Sequence, residues 1–151
     1  MANPMDPRIR SAIEHACADL AIEYARSIDF RDYDNIANVF AEDATLTIGQ
    51  RFEGRDAIVA AMMQRPADLR SRHVITNVFI DVVDEKRARG ICYLTLYRHV
   101  GPESLERGPV ALRGPAAVGH YEDSYVKTAD GWRIKHRTLH LAFRDSAQLQ
   151  Q

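Results

Sequence analysis

An aspartate and a histidine in the first half of the chain have the side chains that proton transfer needs. Histidine titrates near neutral pH and can accept a proton from carbon next to a carbonyl, and a carboxylate can hold the imidazole in one tautomer. Asp29 ends an apolar helical stripe, and His73 begins a β-branched segment whose face also carries Ile75 and Phe79. An apolar wall disfavours the charged imidazolium. We therefore predict that His73 is a base oriented by Asp29.

Further residues are candidates for the same site. His99 ends a predicted strand on the face of Tyr93 and Tyr97, an aromatic wall that suits a flat hydrophobic ligand. Arg137 could supply a fixed positive charge to a developing enolate or leaving group. Tyr24 lies five residues before Asp29 and could donate a hydrogen bond to a substrate oxygen. The predicted catalytic residues are His73, Asp29, Arg137, Tyr24 and His99, and the predicted substrate-binding residues are Tyr93, Tyr97, Phe79 and Ile75.

Each of these residues also has a structural interpretation. A histidine such as His73 on an apolar strand face is commonly a hydrogen-bonded core residue, and Asp29 could cap a helix end. His99 could be exposed at the end of its strand. Arg137 could form a salt bridge on a basic strand, and Tyr24 could fill the core.

No linear metal motif is present. The six histidines form no HxH or HExxH run, and Cys17 and Cys92 lack CxxC spacing, so neither a metal site nor a disulfide framework is predicted. His136 and His140 have the spacing of one helical face, but they lie in a predicted strand. A bulge in that strand would exchange the faces of His136 and Arg137.

The bulk composition excludes several classes of function. The length of 151 residues fits one domain, and 46% hydrophobic and 27% charged residues are ordinary for a soluble globular protein. The net charge of −1 argues against a nucleic-acid-binding surface. Because no apolar run is long enough to span a bilayer and residues 1–10 hold no secretory region, we expect no membrane association and a cytoplasmic location.

The hydrophobic periodicity predicts helices followed by a sheet. Residues 1–7 are predicted as a flexible tail, followed by a helix with an apolar stripe that ends at Ile28, a helix over 33–40 capped by Asp32, and a helix from Gly54 to Pro66. Segment 101–115 is predicted as a loop because it holds three glycines and three prolines. The predicted strands are 44–48, 51–53, 73–83, 88–100, 116–128 and 132–143.

Helices followed by a curved sheet indicate a single α+β domain over residues 1–151. The first long strand, 73–83, is largely apolar on both faces. The helices can cover one face, and a second copy of the chain is the economical cover for the other. We therefore expect a homo-oligomer.

Five short segments occur in a recognisable order and spacing: Tyr24-x4-Asp29, Phe40–Ala44, Gly54–Ile58, Arg72–Asn77 and Asp130–Arg137. Together they resemble the SnoaL-like branch of the nuclear transport factor 2-like superfamily. The resemblance implies a cone-shaped α+β barrel, in which N-terminal helices pack on a curved, mostly antiparallel sheet and enclose a pocket. It also implies an Asp29–His73 pair in that pocket, chemistry without a cofactor, and a trimer or dimer.

The resemblance favours lyases of the scytalone dehydratase and bile-acid 7α-dehydratase type. Tyr24 and Arg137 are similar to the bile-acid dehydratase pattern, and His99 lies near a second histidine of scytalone dehydratase if one residue is inserted in the intervening turn. Ile28 and Ile48 stand at or near places where scytalone dehydratase has tyrosines, so scytalone is not the expected substrate.

The predicted function is that of a cofactor-independent dehydratase acting on a small hydrophobic molecule, cyclic or polycyclic. Two alternatives remain at this stage. One is an isomerase or polyketide cyclase of ketosteroid-isomerase type that uses the same base. The other is a non-catalytic ligand-binding module or a small partner subunit.

Overall fold

Three helices in the first half of the chain form one layer of the fold. The computed structural model describes residues 4–149, and the first three residues of the predicted tail lie outside that range. Helix α1 spans Pro7–Asp29, α2 spans Tyr33–Val39 and α3 spans Arg55–Met63. Asp6 caps α1 by accepting a hydrogen bond from the amide of Arg8 at 2.8 Å. Pro7 is therefore inside the helix, where its missing N–H costs nothing.

A mixed six-stranded sheet forms the second layer. The strand order is β2-β1-β6-β5-β4-β3, with β1 and β6 parallel and every other neighbouring pair antiparallel. The sheet is curved but open, with β2 and β3 at its edges, and it forms a cone rather than a closed barrel. The predicted α+β fold is confirmed. The strands are β1 Phe40–Ile48, β2 Gln50–Glu53, β3 Leu69–Asp84, β4 Arg87–Val100, β5 Ala117–Thr128 and β6 Gly131–Arg144.

Two local predictions need correction. The side chain of Asp32 makes no capping bond to α2 and instead accepts from Arg26 of α1 at 3.1 Å. The loop between β4 and β5 contains a short 3-10 helix, Pro102–Leu105. This loop is held to the sheet by Arg70, whose guanidinium donates to the carbonyls of Ser104 and Gly108 at 3.0 and 2.7 Å.

A bulge in β3 reverses the predicted faces of that strand. Asn77 has a φ of +51°, and the pairing with β4 shifts register between Thr76 and Phe79. Ile75 packs against the core before the bulge and Val78 does so after it. Phe79 is therefore 64% exposed on the outer face of the sheet, and the prediction that it shares a face with Ile75 is wrong.

The outer face of the sheet exposes several apolar side chains. It exposes Val74 and Tyr93 by 43% and 49% and Phe143 by 71%, whereas the helices cover the inner face. The expectation that a second copy of the chain covers this face stays a prediction. None of the helices within residues 4–149 is long and apolar enough to cross a membrane.

Both cysteines are buried and unpaired, as expected. Cys17 lies on α1 and Cys92 on β4, and neither forms a disulfide. Burial raises the pKa of the Cys17 thiol to about 12 and that of Cys92 to about 11. At neutral pH both remain protonated, and they serve as small apolar core residues.

A buried ion pair lies at the centre of the core. Arg137 on β6 donates from Nε and Nη2 to the carboxylate of Asp123 on β5, at 2.8 and 2.7 Å, and both side chains are fully buried. The guanidinium carbon lies 4.6 Å from the ring centroid of Tyr24 and 4.3 Å from that of Tyr121. Tyr125 donates to the same carboxylate at 3.0 Å. Burial alone would lower the pKa of Arg137, but the charge of Asp123 holds it well above its ordinary value.

Replacing Arg137 with leucine should destabilise the protein by about 3–5 kcal/mol, because it leaves the buried Asp123 carboxylate unpaired. The double variant Arg137→Leu/Asp123→Leu should be more stable than Arg137→Leu alone, since neither charge is then buried. Urea unfolding followed by circular dichroism measures both. The control is Arg89→Leu, which breaks an exposed pair with Asp81 and should change stability little. Equal effects of Arg137→Leu and Arg89→Leu would contradict the interpretation.

Candidate active site

The end of α1 and the first third of β3 bring Asp29 and His73 into contact. His73 Nδ1 lies 2.6 Å from Asp29 Oδ1, and the backbone amide of His73 donates to Asp29 Oδ2 at 2.7 Å. The side chain of His73 is 10% exposed and that of Asp29 is 6% exposed. Because the carboxylate is an acceptor, Nδ1 carries the proton and Nε2 is left as the basic nitrogen. The predicted contact is therefore present, and two bonds fix the imidazole in one orientation.

Ser71 and Arg65 extend this contact. Ser71, two residues before His73 on the same strand face, donates to Asp29 Oδ1 at 2.8 Å. Arg65 donates to Ser71 Oγ and to the carbonyl of Ile28, both at 2.8 Å. Burial on its own would raise the pKa of Asp29, but the hydrogen bonds from His73 and Ser71 and the charge of His73 hold it below its ordinary value. Asp29 is therefore a carboxylate at neutral pH.

His73 lines a cavity of about 400 Å³ between the helices and the inner face of the sheet. That volume lies in the range of small-molecule sites in proteins. Its polar lining consists of six side chains that converge from four elements and the segment after α3, and its walls are otherwise apolar. The polar residues are Tyr24, Arg65, Ser71, His73, Arg98 and Tyr121, and the apolar ones include Ile48, Phe52, Leu94, Leu96, Leu139 and Leu141.

A larger depression of about 1190 Å³ lies elsewhere on the surface. Its lining is strongly charged and includes Glu42, Asp43, Arg133 and Lys135. It contains neither member of the Asp–His pair. The smaller cavity is the candidate active site because it combines an apolar wall with a fixed titratable pair.

None of the four predicted substrate-binding residues lines this cavity. The face of β4 that lines it carries Leu94, Leu96 and Arg98, so Tyr93 and Tyr97, of opposite parity, are on the other face. Ile75 faces the core without lining the cavity. Phe79 was displaced by the Asn77 bulge, as described above. The aromatic wall was therefore assigned to the wrong face of β4.

Two predicted catalytic residues also lie outside the cavity. His99 Nδ1 is 2.9 Å from the hydroxyl of Ser104, and His99 lines a shallow surface depression instead. Arg137 is sealed between Tyr24 and Tyr121, whose side chains line the cavity while the guanidinium does not. Of the five predicted catalytic residues, His73 and Tyr24 thus line the cavity, and Asp29 contacts it through His73.

The sequence did not lead us to the two arginines of this cavity, Arg65 and Arg98, or to its second tyrosine, Tyr121. Ser71 and Arg98 could have been found, because they share strand parity with His73 and Leu96. Tyr121 could have been found in the same way once the inward parity of β5 was known. Arg65 gives no periodic signal, since its position depends on how the segment after α3 meets the end of α1.

A model of the SnoaL-like domain matches residues 10–138. The chain belongs to the SnoaL-like family. Among curated relatives, the chain is similar to terrestric acid biosynthesis cluster protein E of Penicillium crustosum, with 32% identity over 127 residues. That match covers 82% of this chain and 80% of the relative.

Solved structures of the same fold include two that are named for enzymes. One, from Novosphingobium aromaticivorans, carries the provisional name scytalone dehydratase and has a TM-score of 0.77 at 20% identity, covering 93% of this chain and 91% of that one. The other is hexachlorocyclohexane dehydrochlorinase LinA-type3 from Novosphingobium barchaimii, with a TM-score of 0.75 at 16% identity and 93% of each chain covered. At these identities the likeness shows the fold.

The hydrogen bonds to Asp29 should make the stability of the protein depend on pH. The pKa of Asp29 is lowered by folding, so its contribution is complete above about pH 4, the ordinary range of aspartate, and declines as pH falls further. Asp29→Ala should cost about 1–3 kcal/mol at pH 7, and the difference from the parent should shrink towards pH 3. Urea unfolding at several pH values measures this. The control, Asp19→Ala at an exposed site on α1, should show little difference at either pH, and a constant gap for Asp29→Ala would contradict the assignment.

Proposed function

We propose that this chain is a cofactor-independent lyase, a dehydratase that removes water from a small hydrophobic cyclic or polycyclic molecule. The observation that carries the proposal is the imidazole of His73, held by Asp29 at the wall of a largely apolar cavity. A base in a fixed tautomer beside an apolar binding volume is the arrangement that proton abstraction from carbon needs.

In this proposal His73 is the base and Asp29 is a positioning residue. The Nε2 nitrogen of His73 accepts a proton from carbon next to a carbonyl group. The negative charge of Asp29, bonded to Nδ1–H, compensates the imidazolium that forms. Asp29 keeps its own charge because the bonds to its two oxygens lower its pKa.

The polar groups of the cavity would hold the oxygen atoms of the substrate. Burial raises the pKa of Tyr24 and of Tyr121, so both hydroxyls keep their protons and can donate hydrogen bonds. The guanidinium groups of Arg65 and Arg98 add positive charge where an enolate develops. These residues take the role that sequence reasoning had given to Arg137.

The proposed reaction is balanced without an added reagent. The C–H bond next to the carbonyl breaks and its proton passes to His73. The C–O bond at the next carbon then breaks, the electron pair of the carbanion forms a C=C bond, and the leaving hydroxide takes a proton to become water. If His73 returns its proton to that hydroxide, the enzyme is regenerated in the same step.

The comparisons support elimination without deciding it. Dehydratase and dehydrochlorinase, the names of two structural neighbours, both denote elimination reactions, and the Penicillium relative is named for a biosynthesis cluster. An isomerase would use the same base and return the proton to a different carbon. The mass of the product separates the two reactions, because a dehydratase loses water and an isomerase does not.

Deuterium uptake tests the role of His73. The protein is incubated in heavy water with a panel of cyclic ketones and β-hydroxy ketones, and mass spectrometry follows deuterium incorporation and loss of water. His73→Ala should lower the rate about 10²- to 10⁴-fold, the usual contribution of a general base. Asp29→Asn should also lower it, by up to about 10⁴-fold, because the imidazole loses its fixed tautomer.

The matched control is His99→Ala, which removes a histidine of β4 that lies outside the cavity. It should leave the rate unchanged. A rate for His73→Ala equal to that of the parent would overturn the proposal. Binding of panel compounds without exchange or loss of water in the folded parent would favour a non-catalytic binding module.

A further inference from the structure

Three potential metal ligands lie together on the outer face of the sheet. His120 and Glu122 are two residues apart on β5, so their side chains project from the same face. His140 on β6 is the direct cross-strand partner of His120. The pairing of β5 with β6 therefore fixes all three side chains relative to one another.

Their donor atoms have the spacing of a coordination sphere. Glu122 Oε1 lies 3.3 Å from His120 Nε2, and Glu122 Oε2 lies 3.5 Å from His140 Nε2. One donor atom from each residue falls within 4.8 Å of the others. In a tetrahedral site with metal–ligand bonds near 2.05 Å, neighbouring ligand atoms are about 3.3 Å apart. The two distances between histidine nitrogens and carboxylate oxygens are close to this value.

The two imidazoles also have a suitable orientation. Their ring centroids are 5.1 Å apart with an angle of 21° between the planes, and the Nε2 atoms of the two rings lie 3.3 and 3.5 Å from the carboxylate oxygens of Glu122. The cross-strand partners of Glu122 are Ile91 and Thr138, which offer its carboxylate no competing charge.

We propose that His120, Glu122 and His140 form a binding site for a divalent transition-metal ion of the zinc type. Two imidazole nitrogens and one carboxylate oxygen form the donor set that zinc accepts in sites with an open fourth position. Such an ion would tie β5 to β6 and raise the thermal stability of the protein, since it binds the folded chain.

This site is separate from the proposed active site. The cavity lies on the inner face of the same two strands, where Tyr121, Leu139 and Leu141 line it. The three ligands belong to the other face, and the proposed elimination uses none of them. A failure of either proposal therefore leaves the other intact.

Calorimetric titration of the chelator-treated full chain with zinc chloride tests the site. We expect one ion per chain, an increase in melting temperature with zinc, and visible absorption typical of tetrahedral cobalt when Co²⁺ replaces zinc. Loss of a direct ligand should weaken binding at least as much as loss of a supporting residue, so His140→Ala and Glu122→Gln should lower affinity about 100-fold or more.

The control variant is His15→Ala, which removes a surface histidine paired with Asp19 at 3.4 Å but without a third ligand. It should bind zinc like the parent. Circular dichroism confirms that each variant is folded, and His140→Gln provides a conservative second change at the same position. Equal zinc affinity in the parent, His140→Gln and Glu122→Gln, or no binding by the folded parent, would overturn the proposal.

Discussion

The buried contact between Arg137 and Asp123 is the interaction on which the rest of the core depends. It joins β5 to β6 in the middle of the sheet, and the rings of Tyr24 and Tyr121 enclose its cation. Removing two charges from water is costly, and this arrangement offsets the cost with bidentate geometry, aromatic faces and the hydroxyl of Tyr125. The same contacts fix where α1 crosses the sheet, because Tyr24 belongs to that helix.

Among the residues that the structure describes, Asp123 and Asp29 are buried carboxylates paired with basic side chains, and the two pairs differ in their access to the cavity. Asp123 is enclosed with Arg137 in the core, and both side chains are fully buried. Asp29 is almost as well buried, yet its partner His73 forms part of the cavity wall. An arginine stays protonated under all ordinary conditions, whereas an imidazole exchanges its proton near neutral pH. Both the type of the basic side chain and its position at the cavity wall therefore make the Asp29–His73 pair the better candidate for proton transfer.

The sequence was sufficient for the order of helices and strands and for the Asp29–His73 pair. The helical stripe of α1 ends at Ile28, which set Asp29 at the helix end, and the family resemblance paired it with His73. The face of the sheet to which each side chain points was harder to predict, because a single bulge exchanges the two faces. The positive φ of Asn77 exchanges the inward and outward faces of β3, and no residue type in that segment requires a positive φ. The bulge considered for β6 does occur, and it leaves Arg137 inside and His136 exposed.

Contacts between residues far apart in sequence could not be predicted for a different reason. The His120, Glu122 and His140 cluster spans two strands, and no linear spacing rule describes it before the register is known. Arg65 likewise contacts Ser71, six residues away in sequence, and the carbonyl of Ile28 at the end of α1, 37 residues away. Both arrangements arise from packing, which a search for local motifs does not sample.

The ion pair and the candidate active site are linked through the two tyrosines. The rings of Tyr24 and Tyr121 hold the Arg137 cation, while the same side chains line the cavity. Their ring centroids are 5.8 Å apart in an edge-to-face arrangement, so the two rings also pack against each other. Arg137 lies behind these two residues of the cavity wall and does not line the cavity itself. The contact of Arg137 with the candidate site is therefore indirect, through the packing of Tyr24 and Tyr121 on its guanidinium group.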